Sequence, residues 1–151
     1  MVNVIARNKK AAYEYFIIDK YECGIVLQGT EVKSIRQGKV SLQDAYCRII
    51  NNELFVINMH ISPYEHGNIF NHEAKRDRKL LVRKSEIRKM LLRVSQEGLT
   101  LIPLSLYFTG SLAKLEIALC RGKKLYDKRE DLKKATIKKE MDNIKKSQVR
   151  R

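Results

Sequence analysis

Along the chain, short apolar runs are broken at close intervals, and the spacing inside each run separates strand from helix. Residues 13–27 (YEYFIIDKYECGIVL) are aromatic and β-branched, with polar breaks at Asp19, Lys20 and Glu22, and predict two strands or one long bent strand. Residues 29–38 (GTEVKSIRQG) predict a short helix, with Thr30 as N-cap, Glu31 in the first turn, Val32 and Ile35 three apart, and Gly38 as the stop. Residues 45–58 (AYCRIINNELFVIN) place two apolar runs on either side of Asn51-Asn52, the pattern of a β-hairpin. Residues 64–78 (YEHGNIFNHEAKRDR) have no apolar period and predict a mobile loop. In residues 83–98, Ile87, Met90, Leu91 and Val94 recur at helical spacing, with Ser85 as a candidate cap and Gly98 just beyond the end. Residues 100–108 and 113–120 then read as strands joined by a turn. In the second strand, Ala113, Leu115, Ile117 and Leu119 alternate with Lys114, Glu116 and Ala118, which puts Lys114 on the solvent side.

Several short strands, two helices and no strand–helix–strand rhythm imply a mainly β fold, a small closed or partly open antiparallel barrel for which the oligonucleotide-binding type is the natural candidate. Charge then divides the chain. There are 31 basic and 17 acidic residues, a net charge of +14, and residues 121–151 alone hold 13 of the basic and 5 of the acidic ones. The division predicts a barrel over residues 1–120 and a basic tail over 121–151. Ile137, Met141 and Ile144 form a stripe too thin to order that tail alone, so it is expected to become helical only on a partner.

So large a positive excess points to a polyanion, and nucleic acid is the obvious one. An anionic membrane would call for a basic helix with bulky anchors such as Trp, and the chain has none. Basic groups recur near aromatics: Arg7, Lys9 and Lys10 before Tyr13 and Tyr15; Lys75, Arg76, Arg78 and Lys79; and Lys123, Lys124, Lys128 and Arg129 around Tyr126. Such pairing serves phosphate neutralisation and base stacking.

Chemistry finds little footing. The stretch from Gly24 to Glu31 (GIVLQGTE) begins like a phosphate-binding loop, but no Lys follows its second glycine and Glu31 would repel phosphate. His60, His66 and His72 stand six apart and read as solvated rather than metal-bound. Cys23, Cys47 and Cys120 are odd in number and far apart, suggesting free thiols in a reducing cytoplasm. No segment reads as a signal peptide or membrane span. No catalytic constellation is evident, and composition alone leaves open a basic ribosomal protein or general RNA chaperone.

The strings NKKAAYEYFI, YECGIVLQGTEVKSIRQGKVSLQDAY, RKLLV, GLTLIPLSLYF and RGKKLYDKRE occur in this order over nearly the whole chain. They resemble the small protein B family, the tmRNA-binding proteins of bacterial trans-translation. The resemblance implies an oligonucleotide-binding-type antiparallel β-barrel with two to three flanking helices. It also implies a monomer that binds the tRNA-like domain of tmRNA and carries it to the stalled ribosome, without catalysis, cofactor or metal. By motif, the tmRNA-facing residues fall at Asn8, Lys9, Lys10, Glu22, Arg36, Leu81 and Lys114. Core packing would be the default for Leu81, so its RNA role rests on the resemblance. The tail is expected to leave the last strand at Gly122, to address 16S ribosomal RNA and the decoding centre through Lys123, Lys124, Tyr126, Asp127, Lys128 and Arg129, and to line the mRNA channel with Ile137, Met141 and Ile144.

Overall fold

The computed structural model describes residues 2–66 and 71–123. The chain opens with strand β1 (Val2–Arg7) and a single helical turn, α1 (Ala11–Glu14), neither of which the apolar pattern predicts. Strand β2 (Tyr15–Ile25) is the long bent strand, and its bend is a bulge between Ile17 and Asp19 that leaves Ile18 without a register partner. Helix α2 (Gly29–Arg36) follows. Its cap is Gln28 instead of Thr30: the Gln28 side chain accepts the Glu31 backbone N–H, and the Glu31 carboxylate accepts the Gln28 N–H at 2.8 Å. Thr30 lies within the first turn, where its hydroxyl meets His72 Nδ1 at 2.9 Å.

The short strand β3 (Val40–Ser41) leads to the predicted hairpin, β4 (Tyr46–Ile50) and β5 (Glu53–Ile57). Asn51 and Asn52 both have positive φ, 52° and 63°, as a two-residue turn matching strand twist requires. Strand β6 (His60–Ile61) pairs with β3, and β7 (Arg78–Leu81) runs into helix α3 (Lys84–Glu97). Ser85 is inside α3 rather than at its cap, which is Arg83 and makes no side-chain capping bond; Gly98, at φ 64°, ends the helix as its position predicts. Strands β8 (Thr100–Thr109) and β9 (Leu112–Gly122) form the last hairpin around Gly110 at φ 63°.

The antiparallel pairings run β8-β4-β5-β7-β2-β9, and β9 pairs back onto β8, so the strand ladder returns on itself as a barrel, with β1 added along β8. The link that closes the ring is narrow, a single register pair of Cys47 with Leu101. Inside lie Cys23, Leu54, Val56, Leu80, Leu106, Leu115, Ile117 and Leu119, joined by Ile35 from α2 and by Ile87 and Met90 from α3. At roughly 1.5–3 kcal/mol for each large apolar side chain removed from water, this interior is the main stabilising term. A second, smaller cluster of Ala11, Ile102, Ala118 and Cys120 lies apart from the interior. Ala118, placed on the solvent side by strand alternation, is therefore fully buried, because it packs in this cluster with Ala11 of α1.

Candidate nucleic-acid interface

Two polar assemblies flank α2, and the first is sealed. Glu31 and Arg78 are each 0% exposed and pair directly, while Arg76 pairs with the same carboxylate. Arg78 also donates to the carbonyls of Met59, Glu73 and Ala74, and Arg76 to those of Val26 and Asp77. His72 joins them from the other side, Nδ1 on the Thr30 hydroxyl and Nε2 on the Ile61 carbonyl, both at 2.9 Å. Burial alone would raise the Glu31 pKa, but hydrogen bonds from Arg76, the Gln28 backbone and Arg78 outweigh it and hold the carboxyl below its ordinary range. This corrects three expectations. His72 is buried rather than solvated, residues 71–78 of the predicted mobile loop are tied by polar side chains to α2 and β6, and Arg76 and Arg78 face inward instead of forming an RNA-facing cluster.

The second assembly is open. Val4, Tyr107, Lys114, Gly24 and Leu81 are successive register partners across β1, β8, β9, β2 and β7. Gly24, in the middle of the row, presents no side chain, and a Cβ built there would stand 3.3 Å from the Leu81 Cβ. The gap opens a groove of about 450 Å³ lined by Gly24, Leu81, Val32, Phe108, Leu112 and Lys114 among others. Leu81 and Leu112 are 53% and 62% exposed, so Leu80 and not Leu81 is the residue that β7 gives to the core. Arg36, exposed on α2, holds its guanidinium 4.6 Å from the Phe108 ring centroid. An apolar groove flanked by Lys114 and Arg36 suits a nucleotide, whose base or sugar meets the walls while its phosphates meet the cations.

Glu22 lies two positions before Gly24, exposed on the same face of β2, where its carboxylate accepts a hydrogen bond from the Tyr107 hydroxyl. The sequence reading did not single out Tyr107, Phe108 or Leu112, and it weighed Gly24 only as the start of a phosphate-binding-like loop. A signal existed for Tyr107: a two-residue turn at Gly110-Ser111 fixes the register that pairs it with Lys114.

Asn8, Lys9 and Lys10 stand apart from this groove. They follow the far end of β1, beyond the Arg7–Ser105 pair, and border a shallow hollow with Gln43. Lys9 and Lys10 are exposed, whereas Asn8 donates its side-chain amide to the Pro103 carbonyl at 3.1 Å and its backbone N–H to Leu104 at 2.7 Å. Asn8 thus pins the bulge between Pro103 and Ser105, with Oδ1 making no hydrogen bond among the described residues.

At the other boundary, β9 ends at Gly122, and the chain is still tied to the barrel there. Gly122 pairs with Tyr15, and Lys123 continues the contact, its N–H on the Glu14 carbonyl at 2.8 Å and its Nζ on the Ala12 carbonyl at 2.9 Å. Lys123 and Arg121 also lie over the Phe16 ring. Lys124, Tyr126, Asp127, Lys128, Arg129, Ile137, Met141 and Ile144 lie outside the described residues.

Burial raises the thiol pKa of Cys23 and of Cys120 to about 12 and that of Cys47 well above its ordinary value, which keeps all three protonated and poor nucleophiles. No helix of the described residues is long and apolar enough to cross a membrane.

Known proteins resemble this chain over most of its length. A family model described as "SmpB protein" matches residues 5–147. An SsrA-binding protein of Carboxydothermus hydrogenoformans is 55% identical over 142 residues, covering 94% of this chain and 95% of the relative. One from Pelotomaculum thermopropionicum is 50% identical over 149 residues, covering 99% and 97%. Among solved structures, a chain from "tmRNA-SmpB: a journey to the center of the bacterial ribosome" superposes with a TM-score of 0.68 at 44% identity, covering 83% of this chain and 92% of that one.

Proposed function

The chain belongs to the SmpB protein family, and on that premise we propose that it is a non-enzymatic adaptor that binds the tRNA-like domain of tmRNA and brings it to stalled ribosomes for trans-translation. The observation that carries the reading is the rim groove, where Leu81, Lys114 and Arg36, distant in sequence, border one open surface beside Glu22. Leu81 and Gly24 supply the apolar contact, Lys114 and Arg36 the phosphate contacts, and Glu22 accepts from an RNA donor group. Lys9, Lys10 and Asn8 extend the RNA contact along a separate flank of the barrel.

The tail is the ribosome-facing part. Because β9 runs through Gly122 and Lys123 is still tied to α1, residues 121–123 go with the barrel instead of the tail. From there Lys124, Tyr126, Asp127, Lys128 and Arg129 address the decoding centre, and Ile137, Met141 and Ile144 line the mRNA channel. The adaptor works as a monomer on its RNA in the bacterial cytoplasm.

The test is truncation after Lys123. The shortened chain is expected to bind a tRNA-like-domain transcript with affinity within about twofold of the full chain, and to lose tagging on stalled ribosomes in a purified translation system. If truncation abolished RNA binding itself, the division between barrel and tail would be wrong.

A further inference from the structure

We infer that Tyr107 is a positioning residue that fixes the Glu22 carboxylate as a hydrogen-bond acceptor for a donor group of the bound RNA, an inference that rests on the reading of Glu22 as RNA-facing. Left alone, Glu22 is badly placed for such a task. It is exposed on β2 and stands directly opposite Glu116 of β9, a like-charge register pair that pushes the two carboxylates apart. A long side chain under that repulsion samples many orientations, and fixing one of them on binding opposes affinity.

The structure supplies the restraint from β8. Tyr107 pairs with Lys114 in the β8–β9 ladder, and Glu116, two residues along β9, pairs with Glu22 in the β9–β2 ladder. The Tyr107 ring therefore reaches diagonally over β9 to donate its hydroxyl to Glu22 Oε2. Although it belongs to the outward-facing row, Tyr107 is only 7% exposed. Burial, then the hydrogen bond and charge of Glu22, raise the pKa of the phenol, so it remains a donor at every pH at which the protein works.

With Oε2 occupied, Oε1 is the oxygen offered outward, and it makes no hydrogen bond among the described residues. A carboxylate repels phosphate and needs a hydrogen-bond donor from its ligand. In RNA that means a ribose 2′-hydroxyl or a base N–H group, such as the amino group of guanine, cytosine or adenine. Lys114, adjacent to Tyr107 in the same row, takes the anionic backbone beside it.

The experiment measures binding of the full chain to a tRNA-like-domain transcript for E22Q, Y107F, the double variant and K114A, with thermal melting of each. Replacing the charged acceptor by a neutral amide oxygen weakens the hydrogen bond without removing it, which predicts about five- to tenfold weaker binding for E22Q, and loss of the restraint alone predicts about three- to fivefold for Y107F. The double variant should bind no more weakly than E22Q. E22D keeps the charge but falls short of the Tyr107 hydroxyl, and should bind as weakly as Y107F, an independent break should Y107F melt early. Transcripts carrying 2′-deoxyribose, or bases that lack the exocyclic amino group of guanine, cytosine or adenine, then separate ribose from base donors, because the responsible change costs affinity in the wild type and nothing further in E22Q.

Wild-type affinity for Y107F and E22D alongside a weakened E22Q would overturn the positioning role and leave the RNA-site reading intact. Additive losses in the double variant would also overturn it, as would a transcript series in which no substitution couples to Glu22. A silent E22Q with a weakened K114A removes Glu22 from the site and this inference with it, and silence of both sinks the reading of the surface.

Discussion

Beneath α2, both oxygens of Glu31 and all three guanidinium nitrogens of Arg76 and of Arg78 are bonded within the chain; at the rim groove, Lys114, Arg36 and Glu22 make no ion pair among the described residues. The same residue types do opposite work. In the sealed assembly a carboxylate and two arginines join α2 and β7 to Met59 and to residues 73–74, and are stable only because each buried charge has a partner. At the rim, the unfilled bonding capacity is what a nucleic acid can use. Net charge therefore says that the protein meets a polyanion, but exposure decides which cations do so.

That comparison can be broken most forcefully in the sealed assembly. Arg78→Met removes one partner from a fully buried carboxylate and should cost about 3–5 kcal/mol of stability in urea unfolding. The folded fraction should still bind RNA; unchanged stability with lost RNA affinity would reverse the roles assigned to the two regions. The same assembly should show in acid. Since the folded-state pKa of Glu31 lies below its ordinary value, its stabilisation is fully present above that ordinary value and is lost as pH falls through the folded-state pKa. Urea midpoints recorded from neutral pH downward should fall less steeply for Glu31→Gln than for the wild type.

At the rim the expected effects are smaller and fall on binding. Leu81→Asp should weaken binding of the tRNA-like domain about tenfold, by removing apolar contact and adding a negative charge, while stability stays within about 0.5 kcal/mol because the side chain is half-exposed. Equal losses in both measurements would make Leu81 a packing residue after all. Gly24→Ala is the mildest change: its Cβ meets Leu81, and the groove should narrow at a stability cost of about 1 kcal/mol or less. An unaltered affinity there would mean that RNA does not reach the groove at Gly24.

Local patterns were legible where neighbours in sequence are also neighbours in space. The Asn51-Asn52 hairpin, the α3 stripe with its Gly98 stop, and the β8–β9 hairpin were each written within fewer than 25 residues. Strand β1 was missed because its stability comes from β8, some hundred residues away, and α1 because a single turn has no period to detect. Both N-caps were misplaced by two residues; Gln28 works only through its reciprocal bond with Glu31, and Arg83 makes no side-chain capping bond. Of the candidate site, Lys114 and its outward direction were legible from alternation. Leu81 was not, because in the pair Leu80-Leu81 nothing local says which one turns inward.

By itself, the sequence determined the kind of molecule this is: a β-rich chain, strongly basic, with the strings of its family in order. It also determined each segment that forms by short-range spacing. The tertiary structure alone decided the partition of its charges. Whether an arginine neutralises a buried glutamate or an RNA phosphate depends on which distant strand passes over it, and ring closure through β4 and β8 sets those passages. Solvent exclusion at Glu31, and the gap left by Gly24 between Lys114 and Leu81, arise only when β2, β7 and β9 lie side by side.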